Sequence, residues 1–375
     1  MIYLDYSATT PVNDEVLDSF VKCTKEYIGN PNSLHKLGIK NKKIIDSSTR
    51  QIKDLLKLDN VDVIYTSGSS EANNLAIKGI CLKYQNRGKH IITTPLEHSS
   101  IYGPINYLID QGFEVSFVKL DNNGLVDIDN LKELIRNDTI LVSINAVNSE
   151  IGIRQPIEEI GELLSLYPKI FFHADLTQII GKAKIDTSNI DLFSFTAHKI
   201  YGIKGIGCLV KKEKIAIEPL IHGGKSTTIY RSGTPTTALI VSFAKALRLS
   251  MENIDERYNN ILELNNYLKE KLNNYEKVKI NSNDKCIPQI LNISVLGVKP
   301  ETMLHALEED EIYISTQSAC SANNNLSKAV MSVTNDIERA QSSIRISLSY
   351  LTIKEEIDKL LEVFDKCYKK LTNLR

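Results

Sequence analysis

Lys199 stands in the stretch Phe195-Thr196-Ala197-His198-Lys199-Ile200-Tyr201-Gly202, just after a short apolar run and between a hydroxyl, a histidine and a glycine turn. Upstream, His173-Ala174-Asp175-Leu176-Thr177-Gln178 is a second apolar run that ends in an acid. A lysine at one strand end and a carboxylate at a neighbouring one can hold pyridoxal phosphate (PLP). The amine forms a Schiff base, and the carboxylate pairs with the protonated pyridine nitrogen. Such a site breaks bonds at the α- or β-carbon of an amino acid. A single lysine in a polar turn is ordinarily just exposed, so the reading depends on what accompanies it.

Four further motifs bear on it. Thr66-Ser67-Gly68-Ser69-Ser70-Glu71 is a hydroxyl-rich turn that opens a helix. Free N–H groups at a helix start favour a phosphate, although a plain serine N-cap has the same look. Thr196 and His198 could add phosphate donors. His98, in Pro95-Leu96-Glu97-His98-Ser99-Ser100, follows a strand and could stack on a cofactor ring or shuttle protons. Cys320 lies in Ser318-Ala319-Cys320-Ser321-Ala322-Asn323, a run of small polar residues. That setting suits a reactive thiol and leaves inert packing open. Arg345 interrupts the alternating strand Ser343-Ile344-Arg345-Ile346-Ser347, and its planar fork suits bidentate binding of a carboxylate. Together these residues describe a PLP enzyme with a thiol nucleophile acting on an amino acid.

The elements that must position them alternate. Apolar strands are expected at Val61–Thr66, His90–Thr94, Val115–Val118, Ile140–Ile144, Ile170–Ala174, Leu192–Phe195 and Gly207–Val210. Helical stretches such as Glu71–Tyr84, Ser100–Gln111 and Ile157–Tyr167 separate several of them. Strands apolar on both faces and divided by helices predict a mostly parallel, seven-stranded sheet in an α/β fold. Ligands of such sheets gather at the carboxyl ends of the strands. Beyond Thr234-Pro235 the pattern changes. Ile254, Tyr258, Ile261, Leu264, Leu268 and Leu272 mark a long amphipathic helix. Strands at Gln289–Val295, Ile312–Ser315 and Ile344–Leu348 follow, with helices at Glu301–Glu309 and Ile353–Leu371. The expected organisation is a large α/β domain over residues 13–250 and a smaller α+β domain made of 251–375 together with 1–12, which carries the Cys320 loop.

A net charge of −1 over 375 residues argues against a dedicated nucleic-acid or anionic-membrane surface. No apolar run approaches the roughly 20 residues that span a bilayer. The cysteines at 23, 81, 208, 286, 320 and 367 form no CxxC pair and fit no zinc site. Scattered in this way and without a signal peptide, they predict a reducing cytoplasm and no metal centre.

Across nearly its whole length the chain resembles the cysteine desulfurases of the NifS/IscS type, which are class V aminotransferase-like, fold-type I PLP enzymes. The resemblance runs through Leu4-Asp5-Tyr6-Ser7-Ala8-Thr9-Thr10-Pro11, Gly29-Asn30-Pro31, Thr66-Ser67-Gly68, Glu97-His98, Asp175 to Gln178 and His198-Lys199. It continues through His222-Gly223-Gly224, Arg231-Ser232-Gly233-Thr234, Ser318-Ala319-Cys320 and Ser343-Ile344-Arg345. It implies that Lys199 carries the cofactor, Asp175 pairs with the pyridine nitrogen, Gln178 binds the ring hydroxyl and His98 stacks on the ring. Ser69, Ser70, Thr196 and His198 would hold the phosphate, joined by Thr234 from the partner subunit of a homodimer. Arg345 would grip the substrate carboxylate, with Asn148 and Ser149 beside it. Lys199 would take the α-proton of L-cysteine, and Cys320 would accept the sulfur as a persulfide and pass it to an acceptor protein. The destination would be iron–sulfur cluster assembly or the thiolation of tRNA or a cofactor.

The chain departs from that pattern in places. Asn148-Ser149-Glu150-Ile151-Gly152 carries serine where a second asparagine is usual. Ser69-Ser70 stands where Ala-Thr or Gly-Thr is common, and Thr196-Ala197 where Ser-Gly is frequent. Lys225-Ser226-Thr227-Thr228 replaces a glycine, glutamate and arginine pattern. The competing readings are another fold-type I activity, such as an aminotransferase or selenocysteine lyase, and an inactive scaffold suggested by Ser149.

Overall fold

The computed structural model describes residues 1–316 and 326–372. In chain order its strands are β1 (Ile2–Tyr3), β2 (Val61–Thr66), β3 (His90–Thr93), β4 (Glu114–Phe117), β5 (Thr139–Asn145), β6 (Phe171–Asp175), β7 (Leu192–Thr196), β8 (Gly207–Lys212), β9 (Val278–Ile280), β10 (Ile290–Val295), β11 (Ile312–Tyr313) and β12 (Ser343–Ser347). The helices are α1 (Asp14–Glu26), α2 (Lys36–Leu55), α3 (Ser69–Tyr84), α4 (Ser99–Ile109), α5 (Ile128–Leu134), α6 (Ile157–Ser165), α7 (Thr237–Met251), α8 (Ile254–Leu272), α9 (Pro300–Glu308), α10 (Lys328–Thr334), α11 (Ile337–Gln341) and α12 (Lys354–Thr372). Every strand expected from the sequence is present, with ends moved by a residue or two.

Seven strands form one sheet in the order β2-β8-β7-β6-β5-β3-β4. All its pairings are parallel except those of β8, which runs against both β2 and β7. The sheet is covered on both faces, so β5 and β6 are buried along their whole length. This explains why they read as continuous apolar runs rather than as alternating ones. Helix α3 is enclosed in the same way and buries Ala72, Leu75, Ala76 and Ile80. Helix α7 packs against α1 and α2.

A second apolar cluster joins Leu4, Leu268, Ile293, Ile346, Val363 and Phe364, drawn from α8, the antiparallel sheet β12-β10-β9 and α12. The chain start contributes to it because β1 pairs with β11 and Asp5 bridges to Ser347. From there residues 5–10 cross to the large sheet. The Ser7 N–H donates to Ser347 Oγ at 3.1 Å, and the Thr10 N–H donates to the His198 carbonyl at 2.9 Å. The N-terminal segment therefore laces the two apolar cores together directly over the carboxyl ends of the parallel strands.

Candidate active site

Register decides which side chains meet at those strand ends. Asn145 of β5 lies beside Asp175 of β6, and Asp175 lies beside Ser194 of β7. Gly207, the first residue of β8, sits between Thr66 and Thr196. A Cβ at Gly207 would stand 2.8 Å from the Phe195 carbonyl oxygen and 2.9 Å from Gly68 Cα. Only glycine admits so close an approach, and it draws the start of α3 against the end of β7. A cleft of about 190 Å³ opens here, lined by Ser69, Ser70, His98, Asp175, Gln178 and Lys199, with Ser149, His198 and Arg345 also on its wall. A larger depression of about 760 Å³ lies at the opposite end of the sheet, among Leu55, Ile185 and Lys212, and holds none of these side chains.

Lys199 ends a single 3₁₀ turn that follows β7. Its Nζ donates to the carbonyl oxygens of Ser7 and, at 2.7 Å, of Ala8. Those two residues also line the cleft. Nothing in their side chains announces this, because the acceptors are backbone groups.

Asp175 is buried at the end of β6. Its Oδ1 accepts from the Thr177 N–H at 3.0 Å, and its Oδ2 accepts from Asn73 Nδ2 at 2.8 Å. The same Asn73 amide donates to Ser100 Oγ at 2.9 Å, while Asn73 Oδ1 accepts from the Ser194 hydroxyl. Ser194 Oγ lies 2.9 Å from His173 Nε2, and His173 Nδ1 lies 2.9 Å from Ser143 Oγ. This buried chain fixes the carboxylate from below. Burial pushes the His173 imidazole well below its ordinary proton affinity, so it is neutral and serves as a hydrogen-bonded strut.

His98 caps α4. Its Nδ1 accepts from the Ser100 N–H at 3.1 Å and lies 2.9 Å from Ser100 Oγ. Burial, and to a lesser extent Lys199, lower its proton affinity despite the opposing pull of Asp175. With Nδ1 committed as an acceptor, the neutral ring keeps its proton on Nε2. Asn73 thus couples two predicted site residues: it holds Asp175 with one N–H and, through Ser100, steadies His98 with the other.

The start of α3 forms another part of the wall. Its N-cap, Gly68, makes no side-chain cap hydrogen bond, and Ser69 and Ser70 of its first turn line the cleft. An uncapped helix start with two hydroxyls fits a phosphate. His198 joins them on the wall, held neutral by burial and by Lys199, with its proton affinity pulled down to about 4. Thr196 is buried next to this turn, but its hydroxyl donates to the Ile206 carbonyl at 2.9 Å. Thr234 is exposed and does not line the cleft of its own chain.

At the far end, Arg345 projects from β12 and is 1% exposed. Its Nη2 pairs with Asp5 Oδ1 at 2.7 Å and its Nη1 donates to the Ser149 carbonyl at 2.9 Å, while Nε is buried with no partner. An unmet guanidinium donor at a cleft wall fits a carboxylate ligand. Ser149 therefore helps through its backbone, which any residue provides. Asn148 is turned away: its Nδ2 donates to the Leu96 carbonyl at 2.9 Å, and its Oδ1 accepts from the N–H groups of Glu150 and Ile151. The asparagine that reaches the wall is Asn145, whose Oδ1 is buried without a partner. Cys320 lies outside the described residues. The bridge between Ser315 and Arg345 ties the preceding segment to the cleft, with the Arg345 N–H donating to the Ser315 carbonyl at 2.7 Å. Among the described residues no His/Cys/Asp/Glu cluster could hold a metal ion, and no helix is long and apolar enough to cross a membrane.

Glu97 lies directly behind the wall. Its Oε1 accepts from Thr94 Oγ1 at 2.7 Å and from the Asn145 N–H at 2.9 Å, and its Oε2 has no partner. Burial pushes its carboxyl up from 4.5 to about 8. Between those values the folded chain keeps a proton that the unfolded chain has released, so stability falls as pH rises across the window. Glu97→Gln, neutral and of the same shape, is expected to flatten that slope by about 1 kcal/mol per pH unit. Urea unfolding of both proteins across the window tests this. Equal slopes would mean that Glu97 is ionised in the folded state.

The chain is similar to known proteins along its length. The Aminotransferase class-V family pattern matches residues 2–360. A protein of Dictyoglomus turgidum named cysteine desulfurase IscS is 36% identical over 378 residues, covering 100% of this chain and 96% of that protein. The solved structure of a NifS-like protein superposes with a TM-score of 0.91 at 31% identity, covering both chains completely. The structure described as SspA in complex with cysteine gives 0.81 at 31% identity, covering 94% of this chain and all of that one. The chain belongs to the class-V aminotransferase family, within its NifS/IscS-type group.

Proposed function

We propose that this chain is a PLP-dependent cysteine desulfurase, which converts L-cysteine to L-alanine and carries the sulfur as a persulfide on Cys320. The observation that supports it best is one cleft that gathers Lys199, Asp175, His98 and Arg345 at the ends of parallel strands. In this reading residues 13–250 carry the cofactor. Residues 251–375, with 1–12, close over it and bring the acceptor thiol.

Lys199 Nζ would hold the cofactor covalently. Asp175 would pair with its ring nitrogen, Gln178 would meet its ring hydroxyl and His98 would stack on the ring. The start of α3, with Ser69, Ser70 and His198, would take the phosphate, with Thr196 buried beside that turn. Once bound, PLP supplies an electrophilic carbon for the amine of the substrate and a sink for the electrons of its α-carbon. Arg345 orients the substrate carboxylate from the Ser149 and Asn148 side of the cleft. Lys199 Nζ would take the α-proton of the substrate and later return a proton to the same carbon. The Cys320 thiolate attacks the substrate sulfur, the carbon–sulfur bond breaks and the β-carbon gains a proton. Cysteine plus thiol becomes alanine plus persulfide, with atoms and electrons in balance. A free thiol of pKa about 8.5 is mostly protonated at pH 7, so Cys320 must be activated in the complex. His98, with its proton on Nε2, faces the cleft as a donor.

The persulfide would pass to an acceptor protein serving iron–sulfur cluster assembly or tRNA or cofactor thiolation. Exposed Ile28, Leu34 and Ile229 give two copies apolar surface to bury. This supports a homodimer in which Thr234 of each copy serves the phosphate of the other. Net charge near zero and the scattered cysteines support a cytoplasmic setting.

The direct test is to supply L-cysteine to the PLP-loaded protein with a reductant and to measure sulfide and alanine together. Equal amounts support the reading, and pyruvate or a keto acid in place of alanine would contradict it. Arg345→Lys keeps the charge that Asp5 needs but loses the fork. It is expected to raise KM for L-cysteine roughly 10- to 100-fold, as loss of a charged hydrogen bond does, with a smaller effect on kcat. Steady-state kinetics with an unchanged KM would remove Arg345 from substrate binding.

A further inference from the structure

Lys182 has no role in the steps above, yet it points at the site. It follows β6 by a single helical turn, in which Lys182 N–H donates to the Ile179 carbonyl at 3.0 Å. Gly181 takes a φ of 72°, and a Cβ there would lie 2.5 Å from Ser250 Oγ. Glycine is therefore required for the bend that returns Lys182 beneath Gln178, four residues earlier. The Lys182 carbonyl is held from the other core by Gln289 Nε2 at 3.1 Å.

Lys182 Nζ donates to Gln178 Oε1 at 2.5 Å, and Gln178 Nε2 donates to the Ser7 carbonyl at 3.0 Å. The Ser7 carbonyl is also an acceptor of Lys199 Nζ. An ammonium group has donors only, so the Gln178 amide cannot turn its nitrogen toward Lys182. Its NH₂ end is therefore the one at the Ser7 carbonyl, on the cleft wall, with one N–H left over. The cost of this arrangement is visible. The side chain is partly buried, and burial, with the opposing charges of Lys199 and Arg345, lowers its proton affinity to about 7. His198 feels its charge in turn, and Tyr6 and Tyr201 share its crevice. No described carboxylate pairs with it.

We propose that Lys182 is a positioning residue that fixes the orientation of the Gln178 amide and polarises it, so that the N–H not given to the Ser7 carbonyl meets an anionic ring oxygen on the cofactor. The inference rests on the reading of the cleft as a PLP site. A donor strengthened by a cation behind it stabilises a phenolate. It therefore weakens the hold of the neighbouring Schiff-base nitrogen on its shared proton. Without the cation that proton is kept to higher pH.

The test follows the visible band of the PLP-loaded protein during titration with base. In Lys182→Met the midpoint is expected to rise by up to roughly one pH unit, and in Lys182→Arg, which keeps its charge where Lys182 loses it, to stay at or fall below the wild-type value. On a Gln178→Ala background Lys182→Met should move the midpoint by less than half as much, because the route through the amide is gone. Thermal melting of each variant reports its folding. If Lys182→Met does not melt cooperatively, Lys182→Gln takes its place with the same expectation. A wild-type midpoint in the neutral variant, or a full-sized shift that survives loss of Gln178, would overturn the proposal. A wild-type protein that shows no visible band with PLP would instead overturn the PLP reading itself.

Discussion

Lys199→Ala is expected to abolish alanine formation from L-cysteine, by at least about a thousandfold, while the protein stays folded. In the proposed mechanism two roles converge on one nitrogen: covalent attachment of the cofactor, and removal of the α-proton. General-base removal alone is worth about a hundred- to ten-thousandfold. The fold should tolerate the change because the acceptors of Nζ are the Ser7 and Ala8 carbonyls at the edge of an open cleft, where water can replace a lost donor. The segment that carries them is fixed independently by Thr10, whose N–H and hydroxyl both donate to the His198 carbonyl. The variant should still bind PLP through Asp175 and the start of α3, but it should release the cofactor on dialysis and fail to fix it with borohydride. Turnover within tenfold of wild type, or a borohydride-fixed cofactor in the variant, would place the Schiff base on another lysine.

Cys320→Ser is expected to be as damaging to turnover but to act later. The serine variant should retain the cofactor and bind L-cysteine, because Lys199, Asp175 and Arg345 are untouched. It should exchange the α-proton of L-cysteine with solvent, because the proposed mechanism gives that step to Lys199. It should not form alanine, since a hydroxyl is a far poorer nucleophile toward sulfur than a thiolate. Loss of a covalent nucleophile ordinarily costs at least about a thousandfold. The combination of retained exchange and lost alanine separates the two residues by step. Loss of both would mean that Cys320 serves the fold or the binding of substrate. Sulfide and alanine at wild-type rates would send the sulfur by another route, as in the competing lyase reading.

Much of this was legible in the residues. Strands buried on both faces print as continuous apolar runs, so the seven strands and the lysine, acid and histidine at their ends could be found. The reversed direction of β8 could not, because hydrophobicity carries no sign along the chain. The Ser7 and Ala8 carbonyls could not be found either. They meet a lysine nearly two hundred residues away, and a backbone acceptor has no residue type to betray it. Asn73, Ser194 and Ser143 were hidden for a related reason: small polar residues inside apolar elements look like tolerated exceptions until the fold stacks them under Asp175. His173 was visible, but as part of a strand. Asn148 and Thr196 show the converse. Each sits in the right motif, yet its side chain is spent on backbone groups, and only geometry reveals that Asn145 lines the wall. Lys182 carried a weak signal, a lysine four residues beyond Gln178 after a glycine. Its meaning depends on the bend at Gly181.

The central claim is that the sulfur of L-cysteine moves to Cys320 as alanine leaves. The most direct test is a single turnover of the PLP-loaded wild-type protein with L-cysteine and no reductant, followed by mass analysis of the peptide that contains Cys320. The expected result is one alanine per cofactor, together with one additional sulfur atom on Cys320 that a thiol reductant removes. Alanine formed in that amount with Cys320 left unmodified would contradict the reading.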